Sequence, residues 1–166
     1  CLALDTIGKS AFSYCYYLPN AVVSSHSPNI GNLAFCYCNS LTKITISSNI
    51  TTIAIGLFDQ CASLTSVALP NSVTSIGGSA FAYCSNLTNL IIGTNVTIIG
   101  NSAFYACTSL RNVTIPHGVT DIESSAFDDC PKLTGIAIPS GVTNIGDHAF
   151  YFCQSLTSAT IGTNIT

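Results

Sequence analysis

Apolar residues recur along this chain with a period of 23 residues. Each period contains a phenylalanine, a cysteine three residues after it and a leucine three residues after the cysteine. The phenylalanines are Phe12, Phe35, Phe58, Phe81, Phe104, Phe127 and Phe150. An isoleucine stands five residues before each phenylalanine, so every unit repeats the same set of apolar positions. Seven such units account for nearly all of the 166 residues.

Each unit combines two apolar spacings. The stretch L-T-x-V-x-I alternates apolar and polar residues, which predicts a short strand with one buried face, as at 64–69 and 110–115. A proline or glycine then ends the strand, and V-T-x-I predicts a brief second strand or extended turn. The segment A-F-x-x-C has the length of one helical or 3₁₀ turn. A tight bend before that segment is predicted at Gly8, Gly31, Gly77, Gly100 and Gly146.

The repeat predicts a solenoid, because one short unit cannot enclose a core whereas stacked units bury a continuous one. We therefore expect residues 1–166 to form a single solenoid of seven 23-residue units. Neither end shows a polar capping unit. The chain is then expected to be either a piece of a longer repeat array or a subunit that stacks head to tail.

The pattern L-x-x-V-x-I/L-P followed by I-G-x-x-A-F-x-x-C-x-x-L resembles the BspA-like, or Treponema-type, leucine-rich repeats of bacterial and protist surface proteins. The resemblance covers essentially the whole chain. It implies an α/β-type leucine-rich repeat solenoid with a parallel concave β-sheet, short convex strands and 3₁₀ or helical turns. It also implies an extracellular or cell-surface location and a role in adhesion. The chain departs from the pattern at Pro19, Ser27, Pro28, Leu57 and Glu123.

Charge and hydropathy exclude two classes of function. Only 7% of the residues are charged and the formal net charge is −3, so the chain has no basic surface for nucleic acid. Ser, Thr, Asn and Gly interrupt every apolar run before the ~18 residues that a membrane span requires. We expect neither nucleic-acid binding nor a membrane span.

Nine cysteines suggest chemistry, but seven of them occupy one position of the repeat. This column predicts buried thiols that pack as small hydrophobic side chains. A uniform column offers no unique disulfide pairing, and the spacing fits no zinc site. Cys36 lies outside the column, and we expect Cys36 and Cys1 to be the thiols most available for reaction.

No set of residues in the sequence predicts catalysis. His26, His117 and His148 lie in separate units, outside any recognisable motif with a nucleophile or carboxylate. One acidic concentration matches no calcium loop and is interpreted as a solvated patch: Asp121, Glu123, Asp128, Asp129 and Asp147. The protein is therefore predicted to be non-enzymatic, without a metal or cofactor.

The outward positions of the predicted concave strands are the candidate binding surface. They form two columns of small, nearly uncharged side chains, suited to a protein or glycoprotein ligand. The candidate binding residues are Lys43, Thr45, Asn89, Ile91, Asn112 and Thr114. An aromatic stripe beside the core could join an interface or cover the turns: Tyr14, Tyr37, Tyr83, Tyr105, Tyr151 and Phe152.

Five N-x-[ST] sequons are possible glycosylation sites in a secreted eukaryotic protein: Asn49, Asn86, Asn95, Asn112 and Asn164. The preferred function is an extracellular or cell-surface recognition and adhesion module. The alternative is the subunit of an extracellular fibre built by head-to-tail stacking. A third hypothesis is ice binding through the two regular columns of threonine.

Overall fold

The structure is a computed structural model that describes residues 6–23 and 29–163. Cys1, His26, Ser27, Pro28 and Asn164 lie outside these residues. The described chain forms thirteen short strands, and all of their pairings are parallel. In chain order they are β1 (Thr6–Ile7), β2 (Asn20–Val23), β3 (Asn29–Ile30), β4 (Lys43–Ile46), β5 (Thr52–Ile53), β6 (Ser66–Ala68), β7 (Ser75–Ile76), β8 (Asn89–Ile91), β9 (Ile98–Ile99), β10 (Asp121–Ile122), β11 (Gly135–Ile138), β12 (Asn144–Ile145) and β13 (Ser158–Ile161).

The longer strands form the front sheet, which is the sheet predicted to be concave. It contains β2, β4, β6 and β8 in sequence order, followed by a separate pair of β11 and β13. Equivalent residues of successive coils lie side by side, as in the pairings of Lys43 with Ser66 and of Ser66 with Asn89. The register is therefore one repeat per coil, which is the solenoid that the sequence predicts.

The two-residue strands form the back sheet. β5, β7, β9, β10 and β12 pair in that order, and β1 pairs with β3. Their second residues are isoleucines, of which Ile53, Ile76, Ile99 and Ile122 are buried. These residues close the core from the side opposite the front sheet.

A column of stacked phenylalanines runs through the core. Ring centroids of successive coils are 5.1 to 5.7 Å apart, and the rings lie within 21° of parallel. Phe58, Phe81, Phe104 and Phe127 are fully buried, whereas Phe12 is 41% exposed. Offset stacking of aromatic rings stabilises such a column beyond the area that it buries.

The prediction of a helical turn at A-F-x-x-C is wrong, because no helix forms within the described residues. The segment is a run of tight turns, in which Ala80 donates to the Gly77 carbonyl and Cys84 to the Phe81 carbonyl, at 3.2 and 3.3 Å. Phe81 donates instead to Ala103 of the next coil, at 2.8 Å. Alternate N–H groups are thus committed to the neighbouring coil and cannot form a helix.

The glycines before these turns have a different role from the bend predicted for them. Among the described glycines, positive φ occurs at Gly56, while in other units the same position holds a residue such as Ser79, with φ of 54°. A Cβ added to Gly100 would lie 2.7 Å from the Ile76 carbonyl oxygen of the preceding coil. This position therefore favours glycine because adjacent coils approach closely.

Candidate ligand-binding face

All six candidate binding residues are exposed. Lys43, Thr45, Asn89 and Ile91 lie on strands of the front sheet, whereas Asn112 forms an isolated bridge to Gly135 and Thr114 lies outside the described strands. Lys43 and Asn89 lie in one column, separated by Ser66 of the intervening coil. Thr45 and Ile91 lie in the second column, where Ile91 is 55% exposed. The six candidates therefore present hydroxyl, amide and apolar groups to solvent, with a single lysine among them.

The front sheet is interrupted between the fourth and fifth units. Within the described residues, no backbone hydrogen bond joins β8 to residues 111–115. The sequence predicts a strand at 110–115, but this prediction is wrong for the main-chain pairing. The segment forms only a single bridge, between Asn112 and Gly135. Val113 and Ile115 remain buried. Alternation therefore sets which face is buried here, while the main-chain pairing is lost.

A cleft of about 410 Å³ opens at this interruption. Its lining consists of Leu90, Ile91, Ile92, Thr94, Thr114, Ile115, Pro116 and His117. The volume lies within the ~300–1,000 Å³ typical of ligand sites, and apolar groups with a few polar groups are the usual lining of such sites. Two predicted binding residues, Ile91 and Thr114, thus lie at a concave feature that the sequence did not indicate.

A second hollow of about 380 Å³ lies at the other end of the front sheet. It is lined by Asn20, Ala21, Val22, Thr42, Lys43 and Thr45. Val22 is 71% exposed there. Lys43 and Thr45 therefore belong to a hollow with a positive charge, whereas Ile91 and Thr114 belong to an uncharged one.

Both threonine columns bond along the solenoid. Thr88 donates its hydroxyl to the Thr65 carbonyl at 3.2 Å, and Thr97 donates to the Thr74 carbonyl at 3.1 Å. These hydroxyls thereby link neighbouring coils, which gives both columns a structural role, although Arg111 replaces the threonine of the first column in the fifth unit. Ice binding through them stays a prediction.

Five members of the cysteine column are buried, as predicted: Cys38, Cys61, Cys84, Cys107 and Cys130. Cys15 and Cys153 are half-buried, and each described cysteine is a free thiol. Cys61 donates its Sγ proton to the Phe35 carbonyl at 3.2 Å, and Cys84 donates to the Phe58 carbonyl at 3.3 Å. Burial raises the pKa of Cys84 well above its ordinary value of 9.0. These thiols are therefore protonated donors in the core.

The expectation that Cys36 is an accessible, reactive thiol is wrong. Cys36 is 5% exposed, and its Sγ lies 3.9 Å from a carboxylate oxygen of Asp59 in the next coil. Burial, followed by the charge of Asp59, raises the pKa of Cys36 to about 11. A thiol of this pKa is almost entirely protonated near neutral pH and is a poor nucleophile.

The sequons differ in accessibility. Asn86, Asn95 and Asn112 are exposed, and Asn49 is half-buried. Asn86 donates through its Nδ2 to the Ala62 carbonyl at 2.9 Å. Asn112 accepts a hydrogen bond from the Thr134 hydroxyl at 3.3 Å. Glycosylation at any of these asparagines remains a prediction.

The described histidines and acidic residues are dispersed. His117 and His148 are both exposed. Glu123 accepts a hydrogen bond from the Asn101 N–H at 2.7 Å, so its carboxylate bridges two coils. Over residues 6–23 and 29–163, no group of three His, Cys, Asp or Glu side chains is arranged to hold a metal ion. The same ranges contain no helix of the length and hydropathy needed to cross a bilayer.

The aromatic stripe is divided into separate groups. Tyr14 stacks on Tyr37 with centroids 4.8 Å apart, and Tyr83 meets Tyr105 edge to face at 5.2 Å. Tyr14 and Tyr83 are 57% and 44% exposed, so these rings cover the turns and also face solvent. A role of this stripe in ligand binding remains a prediction.

A one-repeat parallel register, a phenylalanine stack and an exposed front sheet define a solenoid of the leucine-rich repeat class. The family model for the BspA-type leucine-rich repeat region matches residues 5–134 and again residues 76–166. The chain belongs to this family.

Three solved structures show the same fold. A leucine-rich repeat protein of T. pallidum is 30% identical, with a TM-score of 0.80 over 86% of this chain and 69% of that protein. One from Bacteroides ovatus is 29% identical, with a TM-score of 0.88 over 96% of this chain and 42% of that protein. A leucine-rich cell surface protein of Faecalibacterium prausnitzii is 29% identical, with a TM-score of 0.68 over 96% and 52%.

The chain spans about half or less of the latter two structures. No protein of curated description matches it in sequence.

Proposed function

We propose that this chain is a non-enzymatic recognition and adhesion module of a cell-surface or extracellular protein, which binds a protein or glycoprotein through its front sheet. The observation that carries the proposal is that all six candidate binding residues are exposed and that two hollows lie among them. Similarity to a leucine-rich cell surface protein supports the location. The same proposal treats the seven repeats as one solenoid domain.

The side chains of the front sheet are suited to broad contact with another protein. Parallel strands hold the exposed residues of neighbouring coils ~4.8 Å apart on a backbone that is already ordered. Short side chains such as Thr45 and Asn89 lose little rotamer freedom when they become buried. A preformed surface of this kind lowers the entropic cost of association.

The test compares two double variants that add the same charge to opposite sheets. Thr45→Glu with Asn89→Glu changes the front sheet, and Thr52→Glu with Asn144→Glu changes the back sheet. All four residues are exposed on strands. Binding is measured by surface plasmon resonance to a panel of purified matrix and cell-surface glycoproteins, with and without their glycans.

We expect at least one panel member to bind the unmodified chain, with a loss of about tenfold or more in the front-sheet variant only, because each carboxylate must be desolvated at the contact. Equal losses in both variants would assign the effect to net charge and reject the front sheet as the binding face. Unchanged binding of the front-sheet variant would reject it as well.

The alternative function is a fibre built by head-to-tail stacking. All four residues of β13 are exposed, and Ile161 is 62% exposed. Within the described residues β13 pairs with β11 alone, so its second edge can pair with another chain. Electron microscopy over a range of concentrations tests this alternative. Filaments that disappear on Ile161→Lys support it, and discrete particles at every concentration exclude it.

A further inference from the structure

The interruption of the front sheet leaves main-chain groups open along one edge of β8. The Ile91 carbonyl accepts a hydrogen bond from the Leu69 N–H at 2.9 Å, so the main-chain groups of Ile91 face β6. In a parallel ladder, consecutive residues direct these groups to opposite sides. Leu90 and Ile92 therefore direct their N–H and C=O groups toward residues 111–115, from which, in the described structure, they receive no backbone hydrogen bond.

The opening is held in place from behind. Thr120 donates to the Thr97 carbonyl at 2.9 Å, and Glu123 donates to the Ile99 carbonyl at 2.9 Å, so the back sheet is continuous across the same two coils. Phe104 remains stacked on Phe81 at 5.4 Å in the core beneath. The cleft is therefore a fixed feature of a joined solenoid, and a ligand would enter it without separating the coils.

The lining of the cleft selects an uncharged occupant. Leu90, Ile92 and Ile115 contribute apolar groups, and Thr94, Thr114 and His117 contribute polar groups. None of the eight lining residues is Asp, Glu, Lys or Arg. A charged side chain would therefore lose its hydration here without gaining a counter-ion, whereas an aliphatic side chain would be matched by its surroundings.

We propose that this cleft is an anchor site for an extended, uncharged peptide segment of a protein ligand. One aliphatic or aromatic side chain of that segment fills the cleft between the fourth and fifth coils. The segment lies across the mouth of the cleft, and its main-chain groups hydrogen-bond to the N–H and C=O groups of Leu90 and Ile92 that face the cleft. The proposal rests on the proposed function of the front sheet and specifies the chemistry of the ligand at one place on it.

Capped five-residue peptides titrated into the full ¹⁵N-labelled chain test the proposal. The first peptide has a central leucine flanked by threonine and serine, the second has aspartate in place of leucine, and the third has leucine with both flanking amide nitrogens methylated. We expect the leucine peptide to shift the amide signals of Leu90 and Ile92. We expect the aspartate peptide to bind about tenfold more weakly and the methylated peptide about fivefold more weakly.

Two matched variants locate the site. Thr114→Trp places a large side chain at the cleft, and Thr160→Trp places the same side chain at the equivalent position of β13. Both threonines are exposed, so neither change disturbs a buried residue. The amide spectrum outside the substituted coil checks that each variant is folded. We expect Thr114→Trp to abolish the shifts at Leu90 and Ile92 and Thr160→Trp to retain them.

Three results would overturn the proposal: equal binding of the leucine and methylated peptides, full binding to the Thr114→Trp variant, or no shift at Leu90 and Ile92 at millimolar peptide. These results leave the proposed function standing, because its own test changes Thr45 and Asn89, which do not line the cleft. Conversely, a failure of that test with a successful peptide titration would identify the cleft as a peptide site independent of the wider face.

Discussion

At the scale of single residues, six thiols of the cysteine column, from Cys38 to Cys153, are both packing groups and hydrogen-bond donors. Their Sγ atoms reach the phenylalanine carbonyl of the preceding coil at 3.2 to 3.4 Å. The thiol is short enough to fit between the stacked phenylalanine and leucine columns. It also donates a hydrogen bond to one of the two lone pairs of a buried carbonyl oxygen. Cysteine thus combines a small apolar side chain with a hydrogen-bond donor, a combination that alanine and leucine do not offer at this position.

Removal of a central thiol is expected to destabilise the solenoid. Cys84→Ala leaves a void in a fully buried site and deletes the bond to the Phe58 carbonyl. The expected loss is about 1–3 kcal/mol in the free energy of unfolding, measured by urea denaturation. Cys153→Ala is the control, since its thiol makes the same bond, to the Phe127 carbonyl at 3.2 Å, from a half-buried position. An equal loss at both sites would contradict the dependence on burial.

The second residue of interest is Asp59, because burial raises its pKa above the ordinary value of 3.8. A carboxyl whose pKa is higher in the folded chain than in the unfolded chain binds protons more strongly when folded. Its contribution to stability is therefore fully present below about pH 3.8 and is lost as the pH rises through the folded-state pKa. Ionised Asp59 should thus destabilise the protein at neutral pH.

Asp59→Asn tests this assignment. The amide oxygen can still accept the hydrogen bond from the Cys36 thiol, while the buried charge is removed. We expect a higher thermal unfolding midpoint at pH 7 and a smaller fall in the midpoint between pH 4 and pH 7. The matched control is Asp147→Asn on an exposed residue. Identical pH profiles for the unmodified chain and Asp59→Asn would show that the buried carboxyl does not control this dependence.

At the scale of elements, the turn after the back strand is determined by contacts between coils. Gly100 lies against the main chain of Ile76 and Gly77, where an added Cβ would be 2.7 to 2.9 Å from its neighbours. At the equivalent position of the first unit, an added Cβ on Gly8 would meet no atom within 4 Å. A methyl group added at this repeat position would therefore clash with the neighbouring coil at Gly100 but would meet open space at Gly8.

We expect Gly100→Ala to lower the free energy of unfolding by about 1–3 kcal/mol, because the coils must move apart to admit the methyl group. Gly8→Ala should be neutral or slightly stabilising, since alanine restricts the unfolded chain without a clash in the folded one. Ala54 occupies this position in the third unit, which indicates that a local shift can admit a methyl group. Urea denaturation of the two variants is the measurement, and equal stabilities would refute the close-approach explanation.

The strands were more predictable from sequence than the turns. Alternation of apolar and polar residues is a direct consequence of one buried strand face, and it correctly predicted β4, β6, β8 and β11. A spacing of three residues in A-F-x-x-C fits a helical turn and a pair of tight turns equally well. The residues with positive φ that distinguish them occupy two positions of each unit, with serine at the first position in four units and tyrosine at the second in three. Gly56 is the one glycine among these described residues, so glycine gives no signal.

The exposure of the candidate binding residues was predictable from the sequence, but the hollows beside them were not. The six candidate residues were predicted from the repeat period and from the alternation of inward and outward positions along each strand. All six are exposed. Residues 110–115 carry the same alternation as residues 64–69, and the local difference in the segment that loses its main-chain pairing is Arg111, where Thr42, Thr65, Thr88, Thr134 and Thr157 stand in other units. The contact between Cys36 and Asp59 likewise joins residues one whole coil apart. Distances between coils are a property of the stack, and a single repeat does not encode them.

At the scale of the whole molecule, the solenoid is a series of contacts between nearest neighbours. Each phenylalanine stacks on the phenylalanines of the coils directly beside it, and strand pairings join residues one repeat apart. Stability is then the sum of the contributions of single units and of the contacts between adjacent units. Removal of one complete unit should shorten the stack and leave the remaining register intact.

Deletion of residues 65–87 tests this modularity. The deletion removes 23 residues and joins Leu64 to Thr88, which restores the Leu-Thr step of the repeat. In the shortened chain β8 would pair with β4 in the register that β6 now occupies, and Phe104 would stack on Phe58. We expect a folded protein with a β-type circular dichroism spectrum, cooperative unfolding and a lower midpoint, because one unit and one contact between units are lost.

Deletion of residues 65–76 is the control, since it removes about half of a unit and places every later residue out of register with the earlier coils. Phenylalanine would then face polar positions of the preceding coil, and the front strand of one coil would lie against the turn of another. We expect this shorter deletion to unfold or aggregate although it removes fewer residues. If the smaller deletion were the more stable of the two, chain length rather than register would control folding, and the nearest-neighbour description would be wrong.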